Sequence, residues 1–194
     1  MDREILQSKV SMQIVGRTIF QNSKRGKMKE PIKPIPLIEY LNEQIEEYDM
    51  VLDIGCGTKV IANELQCGGV TTLDIWQPFK PDIWCNLMTV PELPCADNSF
   101  DVILLIDVIE HLTKDRGFMV LKEAKRITTK YIFILTPLWW DPNLDFITDT
   151  ESPYFNNDFN KHLSLWNVSD FSDFERITSI PMFKDYFFGV WRKK

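Results

Sequence analysis

Val51-Leu52-Asp53-Ile54 runs straight into Gly55-Cys56-Gly57-Thr58. An apolar strand that ends on alternate glycines makes a turn whose backbone can take positive φ and whose main chain a ligand can approach closely. Asp74 closes a second apolar stretch 19 residues after Gly55. The arrangement predicts a nucleoside-binding crevice at the mouth of a parallel sheet. A dinucleotide-type G-x-G-x-x-G would need a third small residue where this chain has Val60, which argues against a nicotinamide cofactor. The two histidines, His111 and His162, are the side chains whose charge changes near neutral pH.

These residues need a scaffold, and the order of apolar stretches supplies one. Strands are expected at 50–54, 70–74, 82–85, 101–106 and 131–136. Helices are expected at 2–15, at 37–47 with Ile38, Leu41 and Ile45 on one stripe, and at 114–127 with Val120, Ala124 and Ile127 aligned. A short helix after Thr58 must end before Cys67-Gly68-Gly69. Strand 101–106 is apolar on both faces, as a central strand covered by helices on both sides must be. The alternation predicts an α/β doubly wound sheet. Strands at 175–180 and 186–191 are joined by a link too short for a crossover helix, so they are expected to pair antiparallel. Residues 137–165 are rich in Pro, Asn, Asp and aromatics, follow no period, and have the length of a functional loop.

At 194 residues, with 44% apolar and 26% charged residues, the chain fits one domain, 1–194. Residues 1–34 are expected to be an N-terminal extension or lid, and 35–194 the core. A net charge of −6 offers no dominant basic footprint, so a nucleic-acid partner is not expected. The basic cluster at 24–29 reads as solvated surface. The four cysteines have no C-x-x-C spacing, so no metal site is expected. Free thiols, no signal-peptide layout and no apolar run long enough to span a bilayer are the basis for expecting a cytoplasmic protein.

Beyond the glycine turn, Pro94-Cys95-Ala96-Asp97-Asn98-Ser99-Phe100-Asp101 leads into Asp107-Val108-Ile109-Glu110-His111-Leu112. With Val51–Thr58 and Asp74, this ordered set resembles the class I S-adenosylmethionine-dependent methyltransferases, nearest the methyltransferase 11-like group. The likeness covers roughly residues 35–140 well and the C-terminus loosely. It implies a Rossmann-like seven-stranded, mostly parallel sheet with an antiparallel last strand. It also implies S-adenosyl-L-methionine as cofactor and S-adenosyl-L-homocysteine as product. By the same resemblance, Gly55, Cys56 and Gly57 would line the methionine part of the cofactor and Asp53 would orient that turn and the ammonium group. Asp74 would take the ribose hydroxyls and Ile75 the adenine face. Asn86 and Leu87 would stand at the adenine edge, and Asp107 and Val108 would border the sulfonium. The chain departs from the family at Lys59, where a third glycine is common, and at Thr128-Thr129-Lys130, where a glycine-containing turn is usual.

Methyl transfer disperses the sulfonium charge in an in-line displacement, so positioning and desolvation can supply most of the catalysis. The acceptor must approach above strands 4 and 5, where Trp139, Trp140 and Trp166 are candidate walls and His162 is the candidate catalytic base. The stretch Lys161-His162-Leu163-Ser164-Leu165-Trp166 resembles an "H-x-S-x-W" stretch found in some members. Asp101, Glu110 and His111 read as structural braces. The expected acceptor is an O or N of a small molecule, sugar or glycan/lipid precursor, because no N/D-P-P-Y/F stretch follows strand 4 and the charge disfavours polyanions. The alternatives are a non-catalytic cofactor-binding subunit and an RNA or protein methyltransferase.

Overall fold

The computed structural model describes residues 36–140, 152, 154, 156–180 and 183–194. The expected helix at 2–15, the basic cluster at 24–29 and the extension at 1–34 lie outside the described residues. Seven strands form one sheet: β1 (Met50–Ile54), β2 (Gly69–Asp74), β3 (Ile83–Trp84), β4 (Phe100–Ile106), β5 (Thr128–Pro137), β6 (Glu175–Arg176) and β7 (Tyr186–Arg192). Their spatial order is β3-β2-β1-β4-β5-β7-β6. The first five pair parallel, whereas β7 runs antiparallel to both β5 and β6. The strand order reverses between the parallel neighbours β1 and β4, with β2 and β3 added on one side and β5 on the other, and open α/β sheets bind ligands outside the carboxyl ends of the strands at such a switch point.

β4 lies between β1 and β5, and every residue from Val102 to Ile106 is buried. Ile103 and Leu105 point into one apolar layer with Leu52, Ile54, Ile132 and Ile134. Val102 and Leu104 point into the other with Val51, Phe133 and Leu135. Full burial of one such side chain is worth about 1.5–3 kcal/mol, so the alternation in β4 fixes the register of the whole sheet. Helix α1 (Pro36–Gln44) covers the second layer through Leu37, Ile38 and Leu41. The short α2 (Val60–Glu64) adds Ile61 to the same layer. Helix α3 (Lys114–Ile127) covers the first through Val120, Leu121, Ala124 and Ile127.

The elements differ from the sequence expectation mainly at their ends. α1 stops at Gln44, although Ile45 stays buried and its N–H still bonds the Leu41 carbonyl. β5 starts at Thr128, because Thr128 Oγ1 donates to the Asp101 carbonyl and binds the segment to the start of β4. β6 is two residues long, followed by one further bond from Ile177 N–H to the Phe188 carbonyl. Trp166 is a correction of placement. Expected as a substrate-side wall, it is fully buried in the first apolar layer, stacked on Phe171 at 5.3 Å. Its ring lies over Gly117 of α3, where a Cβ would collide with it. The missing side chain at 117 is the reason so large a ring fits against that helix.

Candidate functional site

The turn after β1 sets the geometry. Gly55 and Gly57 have φ of +72° and +51°. A Cβ at Gly55 would stand 2.5 Å from Val108 Cγ2, and one at Gly57 would stand 2.7 Å from the Tyr154 hydroxyl. Both positions therefore need glycine for conformation and for space. Lys59 also adopts a left-handed conformation, φ 61°, as the residue that starts α2. The backbone shape that a third glycine would favour is thus kept by a lysine, at a cost of order 1 kcal/mol or more.

Asp74 stands at the mouth of β2. Its Oδ2 accepts from Gly57 N–H at 3.0 Å and its Oδ1 from Trp76 N–H at 2.7 Å. Each oxygen keeps lone-pair capacity, and the side chain faces a cavity of about 250 Å³. Burial raises the Asp74 pKa, opposed by the Trp76 and Gly57 N–H groups. Behind the turn, Asp53 is buried; burial first, and then the Asp74 charge, push its carboxyl up to about 7. Cys56 is pushed up to about 12 by burial and by the Asp53 and Asp74 charges. It is therefore a neutral thiol, unfit as a nucleophile.

The cavity runs from the mouths of β2 and β3 to the mouths of β4 and β5. Ile75, Asn86 and Leu87 line one end; Gly55, Cys56, Gly57, Asp107 and Val108 line the middle. Asn86 Oδ1 accepts from Met88 N–H at 2.9 Å, which holds that side chain in a local turn. Arg116 of α3 donates to the carbonyls of Leu87 and Val90 and so fixes this loop to the helix. Asp107 has φ 52° and donates its N–H to the Leu135 carbonyl at 2.9 Å. An aspartate in the left-handed region, at the mouth of a central strand, marks a site where conformation serves placement.

The far end of the cavity is walled by Glu110, His111, Trp139 and His162. Glu110 is buried and accepts from Thr136 Oγ1 at 3.0 Å, and burial raises its pKa. Its carbonyl accepts from Leu163 N–H at 2.7 Å and Ser164 N–H at 3.1 Å. That stitch brings His162 beside His111, with ring centroids 5.0 Å apart. Trp140 meets His162 edge-on at 5.9 Å and is half-exposed, outside the cavity lining.

Residues 52–131 match the sequence model of the family described as "Methyltransferase domain". That match spans 80 of the 194 residues. Two curated relatives, both named "Ubiquinone biosynthesis O-methyltransferase" and from two strains of Rickettsia bellii, are 33% identical over 126 residues. The match covers 55% of this chain and 51% of each relative. The chain thus spans about half the length of the curated relatives it matches. Among solved structures, the PH0226 protein from Pyrococcus horikoshii OT3 superposes with a TM-score of 0.58 at 15% identity, over 81% of this chain and 88% of that one. The 1,6-didemethyltoxoflavin-N1-methyltransferase of Burkholderia thailandensis, solved with S-adenosylhomocysteine bound, gives a TM-score of 0.54 at 16% identity over 82% and 77% of the two chains. At such identities the likeness is one of fold.

The fold brings nearly all the residues singled out from the sequence to one hollow. Asp53 sits behind the lining rather than in it, Trp140 at its edge, and Trp166 in the core. Sequence reasoning did not find Tyr154, Phe79 and Phe159, which also line the cavity. Phe79 packs on Tyr154 at 5.1 Å and Trp76 on Phe159 at 6.5 Å. The one signal for Tyr154 and Phe159 was their place in a long aromatic-rich loop. Nor did it join Glu110 to the two histidines, because His162 lies 51 positions after His111 and only the β5 excursion reunites them.

Proposed function

We propose that the cavity holds S-adenosylmethionine and that the protein transfers its methyl group to an oxygen or nitrogen of a small-molecule acceptor. The observation that carries this reading is Asp74. Its carboxylate is fixed by two N–H bonds beside the double-glycine turn and faces a hollow that continues to the mouths of β4 and β5. In this reading Asp74 holds the ribose hydroxyls, with Ile75, Asn86 and Leu87 around the adenine. The Gly55-Cys56-Gly57 main chain lines the methionine part. Asp53 acts from behind, orienting the turn. Asp107 and Val108 border the sulfonium, which places the methyl group towards Trp139, His111 and His162.

The nucleophile attacks the methyl carbon opposite the sulfur. The C–S bond would break with its electron pair left on sulfur, the acceptor's proton would pass to solvent, and S-adenosylhomocysteine would leave. Alignment of donor and acceptor in a dry hollow supplies most of the barrier lowering. The Rickettsia relatives, named as O-methyltransferases, favour oxygen as the accepting atom, and a hollow of this size suits a small acceptor. Calorimetric titration tests the reading: S-adenosylhomocysteine binds to the parent, NAD does not, and Asp74→Ala weakens the binding severely. No S-adenosylhomocysteine binding, or an Asp74→Ala variant identical to the parent, rejects it.

A further inference from the structure

Among the described residues, Glu110, His111 and His162 each offer one ligand-type atom, and the three atoms lie within 4.8 Å of one another. Two donors each about 2.1 Å from one divalent ion stand at most about 4.2 Å apart, so a small side-chain adjustment makes this triangle a coordination set. The chain holds the triangle by main-chain means. Glu110 and His111 are neighbours on one tight turn, Ile109–His111. The Glu110 carbonyl takes two N–H groups from Leu163 and Ser164, and Ser164 Oγ donates to the Ile109 carbonyl at 3.2 Å.

The surroundings of the three side chains fit ligation as well. His111 Nδ1 lies 3.2 Å from the Lys161 carbonyl oxygen. A carbonyl only accepts, so this contact protonates Nδ1 and, in the neutral ring, leaves the lone pair on Nε2. A backbone carbonyl in that role is the usual support of a metal-bound imidazole. Glu110 takes the Thr136 hydroxyl through Oε2, an outer bond that orients a carboxylate for ligation by its remaining lone pairs. All three residues line the cavity at its acceptor end, and Asp107 adds a second carboxylate to the same lining.

We propose that Glu110, His111 and His162 form a divalent-cation site at the acceptor end, with open positions that take the acceptor hydroxyl. The second half of this statement rests on the methyl-transfer reading; the first does not. One carboxylate with two imidazoles suits a first-row transition ion such as Mn2+, Co2+ or Zn2+. Such an ion can lower the pKa of a bound water to about 7, and it acts on a bound alcohol in the same sense. The acceptor O–H then loses its proton to solvent. The oxygen lone pair forms the new O–C bond as the C–S bond breaks, and the ion keeps its oxidation state. His162 in this arrangement is a ligand, not the base expected from sequence.

The test uses the untagged full chain in chelator-treated buffer with Co2+ as probe, read by its visible absorption. One equivalent binds to the parent. His111→Ala and His162→Ala each weaken binding at least tenfold, while S-adenosylhomocysteine affinity stays within twofold, which also reports that the variants are folded. His162→Gln serves in place of any alanine variant that does not fold. No Co2+ spectrum in a parent that binds S-adenosylhomocysteine overturns the site and leaves the methyl-transfer reading standing. A spectrum unchanged in a folded His111→Ala/His162→Ala double variant also overturns the site. Co2+ binding with these dependences in a parent that ignores S-adenosylhomocysteine upholds the site and sinks the transfer reading.

Discussion

The two ends of the sheet carry acids in opposite circumstances. At the base, where the strands begin, Asp101, Glu46, Asp49, Glu123 and Asp97 each have a partner. Asp101 accepts from Met50 N–H at 2.9 Å and from Thr129 Oγ1 at 2.7 Å, and the Met50 N–H above all holds its carboxyl below the usual range. Lys130 donates to both Glu46 and Asp49 at 2.6 Å. Arg126 binds Glu123, Asp97 and the carbonyls of Leu93 and Cys95, and its hydrogen bonds lower the Glu123 pKa. At the mouth, burial raises Asp53 and Asp74, and the charge acting on Asp53 is the like charge of Asp74. Acids that serve the fold are compensated inside the chain. Two buried acids side by side are costly to the empty protein, and they suit a ligand that brings hydroxyl donors and positive charge, as S-adenosylmethionine does.

The largest effect that would break this comparison lies in binding. Asp74→Ala is expected to lower S-adenosylhomocysteine affinity about 100-fold, since two hydrogen bonds to a charged acceptor are lost. Asp101→Ala, at the other end of the same sheet, leaves the affinity within twofold. Calorimetry on both variants decides it, and equal losses would show that the two ends do not divide binding from folding. Next is the converse experiment. Arg126→Ala unties the 93–97 turn and strips Glu123 of its cation. It is expected to cost about 2–3 kcal/mol in denaturant unfolding, with affinity unchanged. An Arg126→Ala variant that unfolds at the parent's midpoint would mean the base network contributes little.

A pH experiment sharpens the contrast. The Asp53 carboxyl is raised to about 7 in the folded chain, against about 3.9 for an unperturbed aspartate. The folded state thus holds a proton that the unfolded state releases. The stabilising contribution of this group is complete below the unfolded value and is lost as pH climbs through about 7. The ligand-free protein is therefore expected to melt at a lower temperature at pH 8 than at pH 6. Asp53→Asn removes that share of the slope and melts higher than the parent at pH 8. A parent and variant with parallel melting profiles from pH 6 to 8 would show that Asp53 does not titrate in that range.

Most of the sheet was legible because its signal is local. An apolar run such as Val102–Ile106 has one way to be buried on both faces, and the β6–β7 pairing follows from a link too short for a helix. The Gly55/Gly57 turn and Asp74 were legible for the same reason: each is a backbone requirement written at one place. Trp166 was not, because its partner is the absence of a side chain at Gly117, 49 residues earlier. Tyr154 closes on Gly57 from the aperiodic loop, where neither spacing nor pattern indicates direction. The Glu110–His111–His162 cluster escaped because the bonds from Leu163 and Ser164 to the Glu110 carbonyl are invisible in side-chain identities.

Lys59 gives the smallest and most local test. It sits in the mouth's own turn, with its N–H bonded to the Cys56 carbonyl at 2.9 Å and its carbonyl accepting from Asn63 N–H at 3.0 Å. Its left-handed backbone is determined by those bonds on either side, not by its own preference. Glycine there relieves a strain of order 1 kcal/mol or more, and gives back part of the gain through the greater freedom of the unfolded chain. Lys59→Gly is expected to stabilise the protein by about 0.5 kcal/mol, a rise of roughly 1–2 °C in Tm for a chain of this length. The lysine lies outside the cavity lining, so S-adenosylhomocysteine affinity should hold within twofold. A Tm that falls would mean that the lysine side chain contributes more than its backbone costs, and the mouth would then be compensated like the base, at this one residue.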